Sequence, residues 1–520
     1  MNAKIRFRRK FPSKCNKPIV KWYKPHGAIH KIIKSSIIGF SIMPMVLGAA
    51  DYQFNALENV SWDSESAWTP NGAPGAADNA IFSNHLTSTE EITISNFKEV
   101  NDISFDGLYI GARLFINTVQ EGSIINGNVY VGDTYLYNND SWRCVGIRGR
   151  NFPLTIKGSI IFNATGASKN INGTDYTSRP IINIGGDWSS TVASSIEIGE
   201  NAVVDSKTGL KAAIILDTSV SKVFQNLYFG LATDQEKGIV IHNVAQLNYA
   251  AGQADTRLTL GKLGGGYLGD QNISIGGING YGTLAASIIN GSTAEGDPIY
   301  AKTNLTLTNA AGVNTYYEGN LYRENSEYND SITITMDGDG KQTMNITSSS
   351  ANFISSVTVK KGDFVFYSPI SSGSLRMEGG SFSAINGGVT FNSASWAGGK
   401  FVFASEPIQG GTADKITIDG KFVKEGGEKI VMDFSGLDAE SILGATYELI
   451  SAESFEDADG NLLTTSDADD YFSAIINNAL ADFSWSDNTL QVTFVQVPEP
   501  AALSLIFGAL AMACAFRRRK

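Results

Sequence analysis

The sequence predicts an all-β fold: a right-handed parallel β-helix (β-solenoid) with a small C-terminal β-rich cap. Three observations predict it. Short apolar alternations recur throughout residues 91–424, Gly, Asn or Asp follows many of them, and long helical periodicity is almost absent. Large β-sandwiches are the alternative that the same signals allow.

Residues 1–50 read as an export signal with an extended basic arm. They contain 11 Lys/Arg and no Asp or Glu. A basic stretch from Lys4 to Lys34 precedes the apolar run Ser35–Leu47, and Gly48-Ala49-Ala50 supplies small residues before a cut between Ala50 and Asp51. Arg8-Arg9-Lys10-Phe11 matches part of a twin-arginine signal but lies far upstream of the apolar run.

Residues 51–90 read as an N-terminal cap, since an uncapped solenoid exposes core and strand edges. Trp62 and Trp68 are its anchors, with sugar stacking as their alternative use. From 91 to 424 the apolar pairs include Ile92/Ile94, Ile103/Phe105, Val129/Val131, Leu154/Ile156, Ile196/Ile198, Ile273/Ile275, Val357/Val359 and Ile416/Ile418. Each puts two apolar side chains on one face of a strand. Intervals of 25–28 residues recur, as from 103 to 129, 129 to 154 and 332 to 357, which points to a solenoid repeat. Asn126-Gly127, Lys157-Gly158, Gly185-Gly186, Gly276-Gly277 and Gly379-Gly380 are expected in left-handed turns.

Residues 425–497 read as a C-terminal cap or small β-rich domain. Ser466–Phe483 is expected to be its one helix, with Phe472, Ile475, Ile476, Ala479 and Leu480 as its core stripe. Strands near Tyr447–Leu449 and Leu490–Phe494 flank it.

The last segment, 498–520, has three parts: Pro498-Glu499-Pro500, an uncharged apolar run from Ala501 to Phe516, and Arg517-Arg518-Arg519-Lys520. The run would reach about 24 Å as a helix, and the terminal cations favour the cytoplasmic side. A membrane-spanning helix over 501–516 would leave Pro-Glu-Pro just outside the bilayer. This tail resembles the PEP-CTERM sorting signal of Gram-negative bacteria. The resemblance implies processing at the membrane by an exosortase in cells that secrete exopolysaccharide. The middle of the chain is similar to autotransporter-passenger-type β-solenoids. Trp62-Asp63, Trp68, Pro70, Gly72, Pro74-Gly75 and Asp78-Asn79-Ala80 resemble their opening segment.

Composition narrows the function. The chain has 520 residues and a net charge of −12. Between the two flanks lie 25 basic and 51 acidic residues, so residues 51–497 carry about −26. That excludes a basic nucleic-acid-binding face, and no nucleic-acid partner is expected. Of three cysteines only Cys144 lies between the flanks, where it reads as a small buried apolar residue. Gly264, Gly266 and Gly269 match a dinucleotide-binding spacing, but Asn272–Ile275 follows as a strand where a helix is required. No hydrolase or metalloprotease motif occurs, and His85 and His242 lie in no motif. Asp337-Gly338-Asp339-Gly340 reads as a two-residue turn between strands, and Asp457-Ala458-Asp459-Gly460 lacks acids at both ends of a calcium loop.

No catalytic residue, cofactor site or metal site is therefore expected. The leading expectation is an exported, exosortase-sorted structural or adhesin-like protein of the cell surface or exopolysaccharide matrix. Its partners would be the export translocase, signal peptidase, an exosortase-type enzyme and exopolysaccharide, with the membrane engaged through the C-terminal segment before processing. A β-helix polysaccharide lyase or hydrolase, or a carbohydrate-binding module, is the alternative.

Overall fold

The computed structural model describes residues 49–497 and Arg517, apart from 84, 87–89, 138–143, 187–191, 218–223, 231–237, 249–255, 262–269, 287–301, 324–330, 350–353, 368–369, 386–387 and 405–413. The described chain is mostly β-strand, with one four-residue α-helix, Ala439–Ile442. One large, predominantly parallel sheet system contains nearly all strands, giving a β-helix-like all-β fold. The dominance of parallel pairs does not fit the antiparallel sandwich alternative. Among the described residues no helix is long and apolar enough to cross a membrane. Residues 501–516 lie outside them.

The stack is built from ladders. Val100, Ile125, Ile156, Ile198, Ile241, Ile275, Leu307, Met336, Val359, Met377 and Trp396 succeed one another in parallel register. All are buried. A second ladder runs Ile92, Leu114, Val145, Ile182, Leu227, Leu258, Leu284 and Leu321. A third runs Ala80, Ile103, Val129, Ile160 and Ile214. Each apolar pair predicted from alternation is buried, because on a pleated strand residues two apart share a face and here that face is the core.

The predicted 25–28-residue interval mixes two quantities. Ile103 to Val129 is a true advance of one coil. Val129 to Leu154 joins strands on different faces, since Val129 pairs with Ile160 and Leu154 with Ser123. True coils range from 18 residues, Val359 to Met377, to 54, Ile160 to Ile214. Hydrophobic pairs mark strands but carry no label for the face they occupy.

Early coils place three strands in the large sheet, such as Ser123–Ile125, Val129–Val131 and Val145–Arg148, and the first coils add a fourth, such as Thr134–Leu136, which pairs in a small separate parallel sheet. Later ones have two, such as Ser331–Met336 and Lys341–Ser349. The change happens at Ile278–Ala286, a long strand that pairs first with Val244–Asn248 and then with Thr256–Leu260, and Asn314–Arg323 then pairs along it. Gly282 and Gly319 are register partners there, and a Cβ on Gly319 would overlap the Gly282 carbonyl. Fully buried Tyr317 fills the same point. Its hydroxyl accepts from Leu284 N at 3.0 Å and lies 2.7 Å from the Asn320 carbonyl, to which it can donate. Burial pushes this phenol well above its ordinary pKa, so it stays a donor.

The turn glycines divide. Gly185, Gly277 and Gly380 do take positive φ. Gly127 and Gly158 are needed for close approach instead: Gly158 N donates to the Gly127 carbonyl at 2.9 Å, leaving no space for a side chain. Asp337–Gly340 is likewise not a hairpin turn. The strands on either side of it pair with other coils, so it is a corner.

The N-terminal end is closed by aromatic packing. Trp62 and Trp68 are 2% and 1% exposed, which leaves neither free to stack on a sugar. Their rings lie 4.9 Å apart, and Phe54, Phe82 and Phe97 pack around them. Each indole N–H donates to a carbonyl, of Pro74 and Trp62 respectively.

The expected helix over Ser466–Phe483 does not form. A 3-10 turn, Leu463–Thr465, precedes the segment, which holds a second, Ala468–Asp470, capped by Asp467, then strands Phe472–Ile475 and Ala479–Ser486. Tertiary pairing overrides the helical pattern. Phe472–Ile475 completes a parallel ladder on Ile430–Asp433, and Ala479–Ser486 pairs antiparallel with Thr489–Gln496. Asn478, at φ 59°, separates the strands. Ile475 and Leu480, counted in the helical stripe, are 45% and 51% exposed, while Phe483 is buried. The strand Thr489–Gln496 also pairs antiparallel with Thr446–Ser451, which ends the parallel stack on one side. Both strands predicted to flank the segment are present.

Candidate functional site

Ala50 and Asp51 are described. The Ala50 carbonyl accepts from Asn79 N at 2.8 Å, and Asp51 opens the strand Asp51–Phe54, which pairs with Asn79–Phe82. A cut between them would place the new N-terminus at the first rung of the sheet. Pro498, Glu499, Pro500, Arg518, Arg519 and Lys520 lie outside the described residues, as do Gly264, Gly266 and Gly269. Arg517 is exposed.

Two clefts of about 590 and 570 Å³ lie near the N-terminal end of the described stack, both lined by Arg150. Volumes of this size suit small-ligand sites. The first is lined by Asn59, Ser61, Thr93, Ser95, Asn117 and Arg148. The second includes Asn96, Gln120, Glu121, Asn151 and Phe152. Parallel stacking builds this floor: Ser61 pairs with Ser95, and Asn117 with Arg148, so outward polar residues of successive coils lie side by side. The corner Gly149–Phe152 is a tight turn closed by Phe152 N donating to the Gly149 carbonyl at 2.8 Å. Arg150 and Asn151 take φ of 48° and 67°, both left-handed, as a type I′ turn demands.

The charges are arranged in depth. Arg148 donates to both oxygens of Glu91, at 2.9 and 3.4 Å, and its guanidinium lies 3.3 Å from the Phe115 ring centroid. Arg113 reaches the same carboxylate at 3.7 Å. Arg150 is exposed and makes no ion pair among the described residues. Asn117 is 5% exposed, and its side-chain carbonyl oxygen has no hydrogen-bond partner. An unserved buried acceptor is costly, and this one exposes almost no surface to the cleft.

A second exposed feature is aromatic. Tyr316 and Tyr367 are 39% and 38% exposed, with ring centroids 6.0 Å apart, and Asn345 donates to the Tyr316 hydroxyl at 2.8 Å. Burial and neighbouring Glu318 raise the Tyr316 pKa against the lowering by Asn345, so the phenol stays neutral.

The other sequence candidates are tied into the scaffold. Asp337 lies 3.6 Å from Lys361 Nζ and 4.0 Å from Lys360 Nζ on the next coil, so its cation partners come from the protein itself. Asp457 uses both oxygens on its own turn, accepting from Asp459 N, Asn461 N and Asn461 Nδ2. Those hydrogen bonds, from Asn461 first, hold its carboxyl below the usual range. His242 pairs with Glu197 of the preceding coil at 2.7 Å. Cys144 is fully buried, with Asn183 Nδ2 2.8 Å from its sulfur. Among the described residues no group of three or more His, Cys, Asp or Glu could hold a metal ion.

Sequence reasoning missed the clefts. Gly149-Arg150-Asn151-Phe152 looks like any solvated turn, and only coil stacking sets it beside Asn59 and Asn117. No family model matches the chain, and neither a curated protein nor a solved structure is similar to it.

Proposed function

We propose that the protein is an exported, non-catalytic structural or adhesin-like component of the cell surface or exopolysaccharide matrix, delivered by a signal peptide and sorted by an exosortase-type enzyme. The observation that carries this reading is the pairing of two address-like flanks, 1–50 and 498–520, around an acidic span. The β-helix-like stack supports it, since such a scaffold gives long, polar outer ladders on a dry core. Right-handed winding is part of the proposal, because parallel crossover connections are overwhelmingly right-handed. The carbohydrate-binding alternative draws on the exposed Tyr316–Tyr367 pair, which offers π-faces to a sugar.

Mass spectrometry of the mature protein tests the addresses. Expected termini are Asp51 and a C-terminus near Pro498–Pro500. The double change Pro498→Ala, Glu499→Ala should leave an unprocessed, membrane-held form. Wild-type size and location in that variant would count against sorting.

A further inference from the structure

We propose that the clefts meeting at Arg150 bind an acidic glycan, a chain of hydroxyl-rich sugars bearing carboxylates. The inference deepens the matrix reading and rests on it for the presence of such a chain. Three features select this chemistry. First, Arg150 is an exposed cation with no ion pair among the described residues, beside an Arg148 fixed by Glu91 and Phe115. In a span of net charge about −26, that is an unusual seat for an anion. A guanidinium matches a carboxylate through two parallel hydrogen bonds.

Second, the buried Asn117 oxygen lacks a donor. A shift of the Asn117 amide would open that oxygen to the cleft, where a sugar hydroxyl can donate to it and a bare polyanion such as a polyphosphate, with acceptors only, cannot. Rotating the amide would instead present its NH₂ group, which a ring or hydroxyl oxygen accepts. Third, Asn59, Ser61, Thr93 and Ser95 line the first cleft with neutral hydroxyls and amides, while Phe152 in the second offers an aromatic face. The lining is too polar for a lipid chain or an apolar peptide. The two clefts share Arg150, so a ligand of several units fits better than a single sugar. The sugar carboxylate sits at Arg150 in the first cleft, and Glu121 in the second accepts from hydroxyls.

The test is calorimetric titration of the detergent-solubilised full-length protein with tetragalacturonate. Its neutral counterpart, each carboxyl reduced to hydroxymethyl, and poly-aspartate serve as comparators. Saturable binding of tetragalacturonate is expected, weakened at least about tenfold by Arg150→Gln and by loss of the carboxylates. Arg150→Lys should fall between, since the charge stays but the fork is lost. Arg150 is exposed, so these variants should keep the wild-type circular dichroism. No binding, equal affinity in Arg150→Gln, or equal affinity for poly-aspartate would each overturn the assignment. Such a result with normal processing of both termini overturns the cleft assignment alone. Normal sorting of the Pro498→Ala, Glu499→Ala variant overturns the sorting reading and leaves the titration standing.

Discussion

The coils between Ile125 and Ile275 and those between Leu307 and Trp396 solve the same burial problem with different amounts of chain. The first use up to 54 residues per turn, Ile160 to Ile214, and at least three short strands; the second come down to 18, Val359 to Met377, and 19, Met377 to Trp396. At the narrowest point a whole coil is one bent strand, Ile370–Ala384, followed by another, Val389–Val402. The core changes with it. Early ladders are mostly Ile, Val and Leu, with single phenylalanines such as Phe162 and Phe229; in the narrow region Phe382 has Phe364, Phe366, Phe391 and Phe401 around it, at centroid separations of 5.7–6.4 Å. With fewer faces to supply side chains, larger ones fill the space. Coil length is thus adjustable at the corners while the buried ladder is not.

That contrast predicts unequal sensitivity. Phe382→Ala should have the largest effect, about 3–5 kcal/mol, because one ring bridges four others in a thin coil that cannot collapse around the gap. Ile198→Ala in a wide coil should cost about 2–4 kcal/mol. A solenoid need not unfold in one step, so hydrogen exchange coil by coil is the measurement. Loss of protection confined to a few neighbouring coils is expected in each case. A larger loss for Ile198→Ala would break the comparison.

Tyr317→Phe probes the junction between the regions. It leaves Leu284 N and the Asn320 carbonyl without their partner in the core and should cost about 1–3 kcal/mol, read in the same exchange experiment at Ile278–Ala286 and Asn314–Arg323. Unchanged protection there would mean that the glycine pair alone makes the bend.

The smallest effect is expected at the C-terminal end. Burial would raise the Asp433 pKa, but its ion pair with Lys400 at 2.6 Å and its bonds to Ser435 outweigh this and hold it below the usual carboxylate value. A lowered folded-state value stabilises above the unfolded pKa and is lost as pH falls through the folded one. Protection of Ile430–Asp433 should therefore weaken below about pH 4, and Asp433→Asn should flatten that dependence. An identical acid profile in both proteins would remove the pair from the account.

Legibility followed locality. Alternation at Ile103/Phe105 or Ile273/Ile275 reports burial because strand geometry places residues two apart together wherever the strand lies. Trp62 and Trp68 were readable as cap residues for a similar reason, since large apolar groups near a solenoid end have a core to close. Ser466–Phe483 misled because its apolar spacing also fits a helix, and the unpaired edge of Ile430–Asp433 decides between them. The Asn477-Asn478 interruption and the alternation Ala481, Phe483, Trp485 were the local signs of two strands. The Arg150 clefts had no such sign.

By itself the sequence determined what period-2 patterning and charge distribution can determine: strands, their buried faces, turn positions and the contrast between basic, apolar flanks and an acidic middle. Only the tertiary structure decided which strand lies on which, how many strands complete a coil, and which polar residues of successive coils meet at Arg150. Those outcomes depend on register between segments 18 to 54 residues apart, and loop closure over such distances is settled by the packing of the whole stack rather than by any local run of residues.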